Sequence, residues 1–285
     1  MSSLSWDTRP TLRDPVLVAG FTGWNDAGDA ASDAVAWLAG RFGAQRFAIL
    51  DPESHLDFQS TRPNVELLDG VTREIRWPSN RFEAATTADG PDLVLLSGPE
   101  PSYRWREFCA GVVTVARETG CHTVVTLGAL LADAPHTRPV SVTGATSDPE
   151  TMDRLGLQRS RYEGPTGIVG VLHDVFRAAG IASASLWAPV PHYVAAPPNP
   201  PATRALLDRL SALTSLTLDL RELGVSSEAW RTRVDGAIAQ DEDLRDYVRG
   251  LEEHADDGSS PDPELTTGDA LAEAFEEYLR EQGLE

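Results

Sequence analysis

The stretch "PVLVAGFTGWNDAGDAASDAVAWLAGRFG", residues 15–43, changes periodicity in its middle. "PVLVAGF" is a short continuous apolar run, the pattern of a strand covered on both faces. From residue 26 the apolar positions recur at helical spacing, and the junction "GWNDAG" carries an asparagine, an aspartate and two glycines. A buried strand running through a tight polar loop into a helix is the building unit of an α/β protein.

The same unit recurs along the chain. Apolar runs "RFAILD", "DLVLLSG", "HTVVTLG", "PVSVTGA" and "SASLWAP" alternate with helical segments "SYRWREFCAGVVTVARETG", "TGIVGVLHDVFRAAG" and "PPATRALLDRLSALTS". This alternation predicts a mixed, mostly parallel sheet sandwiched by helices. Residues 71–87, "VTREIRWPSNRFEAATT", alternate apolar with charged positions and predict a polar hairpin at a sheet edge, with "PSN" as its turn. Residues 1–223 are assigned to the α/β core and 224–285 to a helical extension. Its apolar positions are sparse: Trp230, Val234, Ile238, Leu244, Val248 and Leu251, then Leu271, Phe275 and Leu279 beyond "DDGSSPDPE".

Charge narrows the function. The net charge is −20, which argues against nucleic acid because phosphate contacts need clustered cations. From Asp219 onward there are 20 acidic residues against 6 arginines, so the acidity is concentrated in the extension. All 24 basic residues are arginine. With no lysine, a phosphate-loop lysine, a Schiff base and a lysine general base are excluded. No apolar run approaches the roughly 20 residues of a membrane span, and "MSSLSWDTRP" lacks a basic start leading into an apolar stretch, so a cytoplasmic chain is expected. Cys109 and Cys121 lack Cys-x-x-Cys spacing and read as buried free thiols.

In an α/β sheet, ligands bind outside the carboxyl ends of the parallel strands. Four unusual segments fall there: "GWNDAG", "PEPSYRW", "ADAPHTRP" and "PVPHY". They carry Asn25, Asp26, Glu100, His136, Arg138, His192 and Tyr193, which with Trp24 and Thr166 are expected to face one crevice, with Asp26 in reach of His136, Arg138 or His192. Each has a plainer role. Asp26 opens an Asp-x-x-Asp pattern and reads as a helix cap, which does not exclude a ligand. Thr166 in "EGPTGIVG" reads as the N-cap of another helix. His136 and His192 suit ordinary loop hydrogen bonds, and no third ligand at metal-binding spacing accompanies them. Arg138 could pair with a carboxylate or an anion. Trp24, Trp105 and Trp187 suit core or interface packing. The glycines of the first loop have neither dinucleotide nor phosphate-loop spacing. No Gly-x-Ser-x-Gly, Ser/His/Asp set or reactive cysteine stands out, and no catalytic residue, metal or cofactor is assigned.

"GFTGWNDAGDAA", "GPEPSYRWREF", "LGALLADAPHTRPVSVTGATSD", "YEGPTGIVGVL" and "SLWAPVPHYVAAPPNPPA", in that order, resemble the actinobacterial branch of the proteasome assembly chaperone 2 family. The resemblance runs from about residue 14 to 223. It implies a three-layer α/β/α core like that of the phosphorylase/hydrolase-like fold, a homo-oligomer with a trimer favoured, and protein clients such as proteasome subunits. It leaves open an enzyme or small-molecule binder related in fold to nucleoside phosphorylases. An ATP-grasp enzyme, with its phosphate-binding lysines, does not fit a chain without lysine. Assembly chaperones that dock by a C-terminal tail place a tyrosine next to the terminus. Here Tyr278 stands seven residues before the end, within an expected helix, so docking through the folded surface is expected instead.

Overall fold

The computed structural model describes residues 3–146 and 164–256; the expected helix at 267–281, with Tyr278, lies outside the described residues. Four strands form the parallel centre of the sheet: β7 (Leu93–Pro99), β2 (Val16–Thr22), β8 (Thr123–Ala132) and β10 (Ala182–Pro191), in that order. On one flank β6 (Asn80–Ala85), β3 (Gln45–Leu50) and β1 (Leu4–Trp6) continue antiparallel, and β9 (Thr143–Thr146) closes the other flank antiparallel to β10. The eight-stranded sheet is therefore mixed, with its parallel register confined to the four central strands.

Alternation within the continuous apolar strands sends side chains to both faces, as two separate cores require. On one face Val16, Val18, Leu95, Val125 and Leu186 pack under helices α1 (Ala30–Phe42) and α5 (Pro200–Thr214). On the other, Leu17, Ala19, Phe21, Leu96 and Val124 pack under α3 (Trp105–Glu118) and α4 (Ile168–Ala178). A short helix, α2 (Pro52–His55), follows β3. Cys109 and Cys121 are both free and buried in the second core, and burial pushes each thiol up to about 11.

After α5 the chain adds α6 (Arg221–Ile238) and α7 (Glu242–Asp256). Trp230, Val234, Ile238 and Val248 form a third, small cluster with Tyr193 and Val194. The helical stretch begins at Arg221, where "DLRELG" supplies an aspartate just outside its first turn: Asp219 accepts from the Arg221 amide at 3.3 Å.

The expected hairpin is displaced by one strand. β4 (Asn64–Leu68) pairs with β5 (Thr72–Arg76), and "PSN" joins β5 to β6 of the main sheet rather than turning a hairpin. The turn is made by Asp69 and Gly70, both at positive φ, with the Leu68 carbonyl accepting from the Val71 amide at 3.1 Å. An aspartate-glycine pair tolerates two left-handed residues in succession, and it overrides the proline signal eight residues later.

Candidate functional site

At the end of β2 the backbone turns sharply and is tied to its neighbour. The Asn25 carbonyl accepts from the Ala129 amide of β8 at 2.9 Å, and the Asp26 amide donates to the Gly23 carbonyl at 3.1 Å. The Asp26 carboxylate, 5% exposed, accepts from the amides of Ala31 and Ser32 at 2.8 and 3.1 Å and from the Ser32 hydroxyl at 2.5 Å. These amides belong to the first turn of α1, so Asp26 caps the helix from outside, while the N-cap residue itself, Asp29, uses no side-chain bond. Burial raises the Asp26 carboxyl from its ordinary value, against the opposing pull of the Ser32 and Ala31 donors. Gly28, at φ 60°, is seated against Asn199: a Cβ there would stand 2.8 Å from the Asn199 Cβ.

Glu100, beyond β7, accepts from the Ile168 amide at 2.7 Å and so caps α4 across 68 residues of sequence. Thr166 stands one residue before the N-cap, which is Gly167; the cap expected from Thr166 is supplied by Glu100 instead. A glycine at the N-cap leaves room for the incoming carboxylate, since a Cβ on Gly167 would lie 2.9 Å from Glu100 Oε1 and 3.6 Å from the Trp24 ring. Trp24 lies over this helix start and remains 61% exposed, a surface aromatic rather than core. Beside it Asn25 is 1% exposed, and neither polar atom of its side chain has a hydrogen-bond partner.

The ends of β8 and β10 are built differently. Buried His136 joins the loop after β8 to the segment after β10 and to α6: its Nδ1 lies 2.7 Å from the Tyr193 hydroxyl and its Nε2 2.9 Å from Asp235. The Tyr193 hydroxyl also accepts from the His136 amide at 2.8 Å. All three contacts are satisfied at once when the hydroxyl donates to Nδ1 and, in the neutral imidazole, Nε2 donates to Asp235. Burial first, then the Glu252 and Asp235 charges, push the Tyr193 phenol up to about 12. His136 meets Tyr193 and Trp230 edge to face, at 5.7 and 6.4 Å between ring centres.

Arg138 forks onto α7. Its Nε and Nη2 donate to the two oxygens of Asp256 at 2.8 and 2.6 Å, and Nη1 donates to Glu252 at 3.2 Å. Hydrogen bonding to Asp256 raises the guanidinium further and holds the Asp256 carboxyl below its ordinary value. His192 Nδ1 is 3.1 Å from Asp133, and its Nε2 is 3.4 Å from the Tyr247 hydroxyl, which donates to Asp133 at 3.2 Å.

The nine candidate residues therefore fall into two groups. Trp24, Asn25, Asp26, Glu100 and Thr166 gather at the β2 and β7 ends, and His136, Arg138, His192 and Tyr193 at the β8 and β10 ends. The expected reach from Asp26 to His136, Arg138 or His192 is not made: among the described residues its carboxylate bonds its own helix, and theirs come from Asp133, Asp235, Glu252 and Asp256. Sequence reasoning missed Asp235, Tyr247, Glu252 and Asp256. A signal existed in Glu252 and Asp256, four residues apart and so on one face of α7, opposite a single arginine. Among the described residues no group of three or more His, Cys, Asp or Glu is placed to hold a metal ion, and no helix is long and apolar enough to cross a membrane.

A family model for the PAC2 family matches residues 20–238, from the end of β2 through both groups of candidates to the end of α6. The chain belongs to the PAC2 family. Its fold matches that of a PAC2 family protein from Streptomyces avermitilis, 50% identical, with a TM-score of 0.77 over 82% of this chain and 100% of the other. A proteasome-assembly chaperone homologue from Mycobacterium tuberculosis is 47% identical, with a TM-score of 0.76 over 82% of this chain and 99% of the other. An archaeal proteasome activator from Pyrococcus furiosus, 18% identical, shares the fold alone, at a TM-score of 0.66 over 83% and 99% of the two chains. No curated protein matches the chain. In this PAC2 chain the parallel strand ends hold helix caps on one side and a clasp for α6 and α7 on the other.

Proposed function

We propose that this PAC2 chain is a non-enzymatic assembly or scaffold protein of the cytoplasm, acting on other proteins, with proteasome subunits as the partner class. The observation that carries this reading is the engagement of His136, Arg138 and His192 by carboxylates of the chain itself. His136 and Arg138 fasten α6 and α7 over the strand ends, and His192 bonds Asp133 of the loop after β8. The Mycobacterium tuberculosis relative supports the proteasome as partner. Self-association belongs to the same proposal, and the family resemblance favours a trimer. The division at residue 223 is proposed as a functional one, with the core as scaffold and the acidic helices as the face offered to clients. Mixing the purified chain with proteasome α and β subunits and following particle formation by native electrophoresis tests it. Faster assembly, or a complex with free subunits, is expected; neither outcome at micromolar concentration would sink the proposal.

One observation favours a second reading, a small-molecule binder at the β2 end: the unpartnered, buried amide of Asn25 beside exposed Trp24. A buried amide without partners costs about 1–3 kcal/mol, which a ligand offering both a donor and an acceptor would recover. A metabolite screen by thermal shift would show it, since a ligand at a hundred times its dissociation constant adds about 2.7 kcal/mol. A hit must disappear in Asn25→Leu, and a screen without such a hit removes this reading.

A further inference from the structure

The β4–β5 hairpin stands apart from the rest of the chain. It forms its own two-stranded sheet, every residue from Asn64 to Trp77 is exposed, and none of them joins any of the three buried clusters. Its register places Val65 opposite Ile75 and Leu67 opposite Arg73, so Val65, Leu67 and Ile75 share one face, with Trp77 at the base against Phe58. These three are 54–59% exposed. On the other face Arg76 bonds Glu66 at 2.5 Å and approaches Glu74 at 3.8 Å.

A two-stranded hairpin alone is marginal in water, whereas three or more strands sharing an apolar face are stable. Exposed edges are usually blunted by lysine or proline to prevent pairing. Proline is absent from positions 64–77 and flanks the hairpin only at Pro63 and Pro78. The hairpin is also nearly neutral, with Glu66, Asp69 and Glu74 against Arg73 and Arg76, in a chain of net charge −20. Two copies of so acidic a molecule repel over most of their surface, and a charge-balanced segment is where they approach at least cost.

The order of charges along β5 decides the occupant. In "TREIRW", residues 72–77, an antiparallel pairing of β5 with itself about a two-fold axis at Ile75 sets Glu74 opposite Arg76 of the second copy, and Arg76 opposite its Glu74. Arg73 then meets Trp77, a cation above an aromatic ring, and Ile75 meets Ile75. The β4 edge lacks this property: its single charge, Glu66, has no opposite charge along the strand to meet. We infer that two copies of this chain pair through the β5 edge of the hairpin, making a four-stranded sheet whose apolar face runs through Val65, Leu67 and Ile75 of both copies. The inference rests on the proposal that the chain self-associates. It adds that the contact is two-fold, so it joins two chains, or two rings of three, and the assembly contains an even number of 30.8-kDa chains.

Charge-swap complementation on the full chain, read by sedimentation velocity, tests it. Glu74→Arg puts arginine opposite arginine at both ends of the contact, and Arg76→Glu puts glutamate opposite glutamate. Each variant alone is expected to self-associate at least tenfold more weakly than wild type. Mixed one to one, they restore both opposite-charge pairs and are expected to recover the wild-type mass. Hydrogen exchange on the wild-type chain, diluted through its dissociation range, is the measurement without variants: Thr72–Arg76 amides are expected to lose protection with dilution. A wild-type monomer would overturn the inference together with self-association. A trimer, a mixture that fails to recover, or hairpin amides indifferent to dilution would overturn the two-fold contact and leave self-association standing.

Discussion

The two ends of the parallel sheet solve the same problem with opposite means. At β2 and β7 the carboxylates of Asp26 and Glu100 satisfy the first amides of α1 and α4, so the polar groups are consumed by the core's own layers. At β8 and β10 the histidines, the arginine and the tyrosine reach outward to helices added after the core is complete. The first set is part of the fold, and the second is an attachment. The first turns of α6 pack on the core through Leu220 and Leu223, but α7, held by Val248, by two carboxylates on one arginine and by Tyr247, can open without unfolding the sheet.

The comparison breaks or holds most visibly at Trp230. It is 6% exposed and is the largest side chain of the third cluster. Trp230→Ala is expected to cost about 3 kcal/mol, within the range for deleting a large buried aromatic. The loss should be local: in native-state hydrogen exchange α6 and α7 lose protection while β2 and β8 keep theirs. Equal loss in β8 would show that attachment and core form one cooperative unit. Asp26→Ala is the matching experiment at the other end. Removing a buried cap that receives three hydrogen bonds is expected to cost about 2 kcal/mol, and here global stability falls, read as a lower urea midpoint with unchanged slope. A purely local effect at α1 would place Asp26 outside the cooperative core.

How far the sequence could be read follows the same division. The layers were legible because continuous apolar runs and helical spacing are local signals, and Asp26 was legible as a cap because its partners lie five and six residues away. The partners of His136 and Arg138 lie 57 to 118 residues away, and no local pattern binds an aspartate on one helix to a particular loop histidine. Sequence placed all seven residues at strand ends but could not separate the strand ends from one another. At α4 the near residue, Thr166, looked like the cap, while a carboxylate 68 residues away arrives over Gly167. The hairpin went astray for a local reason: proline marked a turn, and Asp69-Gly70 made one.

Asn25 gives a smaller effect of unusual sign. Its amide is buried with both atoms unpartnered, so Asn25→Leu exchanges an unsatisfied polar group for an apolar one of similar size. A gain of about 1 kcal/mol in thermal or urea unfolding is expected. A loss would mean that the amide is satisfied in solution, by water or by a bound molecule, and would return weight to the binding reading at the β2 end.

The smallest effect separates the two ends by acidity. The Asp256 carboxyl is held below its ordinary value of 3.8 by hydrogen bonding to Arg138, so its contribution is present above that value and is lost as pH falls through the lower folded one. Asp26 is raised above 3.8 by burial, so in the window from 3.8 up to its folded value the folded chain binds more protons than the unfolded one. Stability from Asp26 therefore falls as pH rises through that window, and acidification strengthens it. As the pH falls below the ordinary aspartate value the clasp on α7 weakens, whereas at α1 protonation of Asp26 has already relieved the cost of its buried charge. Hydrogen exchange is expected to show α7 losing protection before α1 does. In Arg138→Gln the pH dependence at α7 should shrink because the ion pair that lowers Asp256 is gone, and in Asp26→Asn the pH dependence at α1 should shrink to the part left by Asp33, whose carboxyl burial also raises. If α1 opens first on acidification in the wild-type chain, the cap is the weaker attachment and the distinction between the two strand ends is reversed.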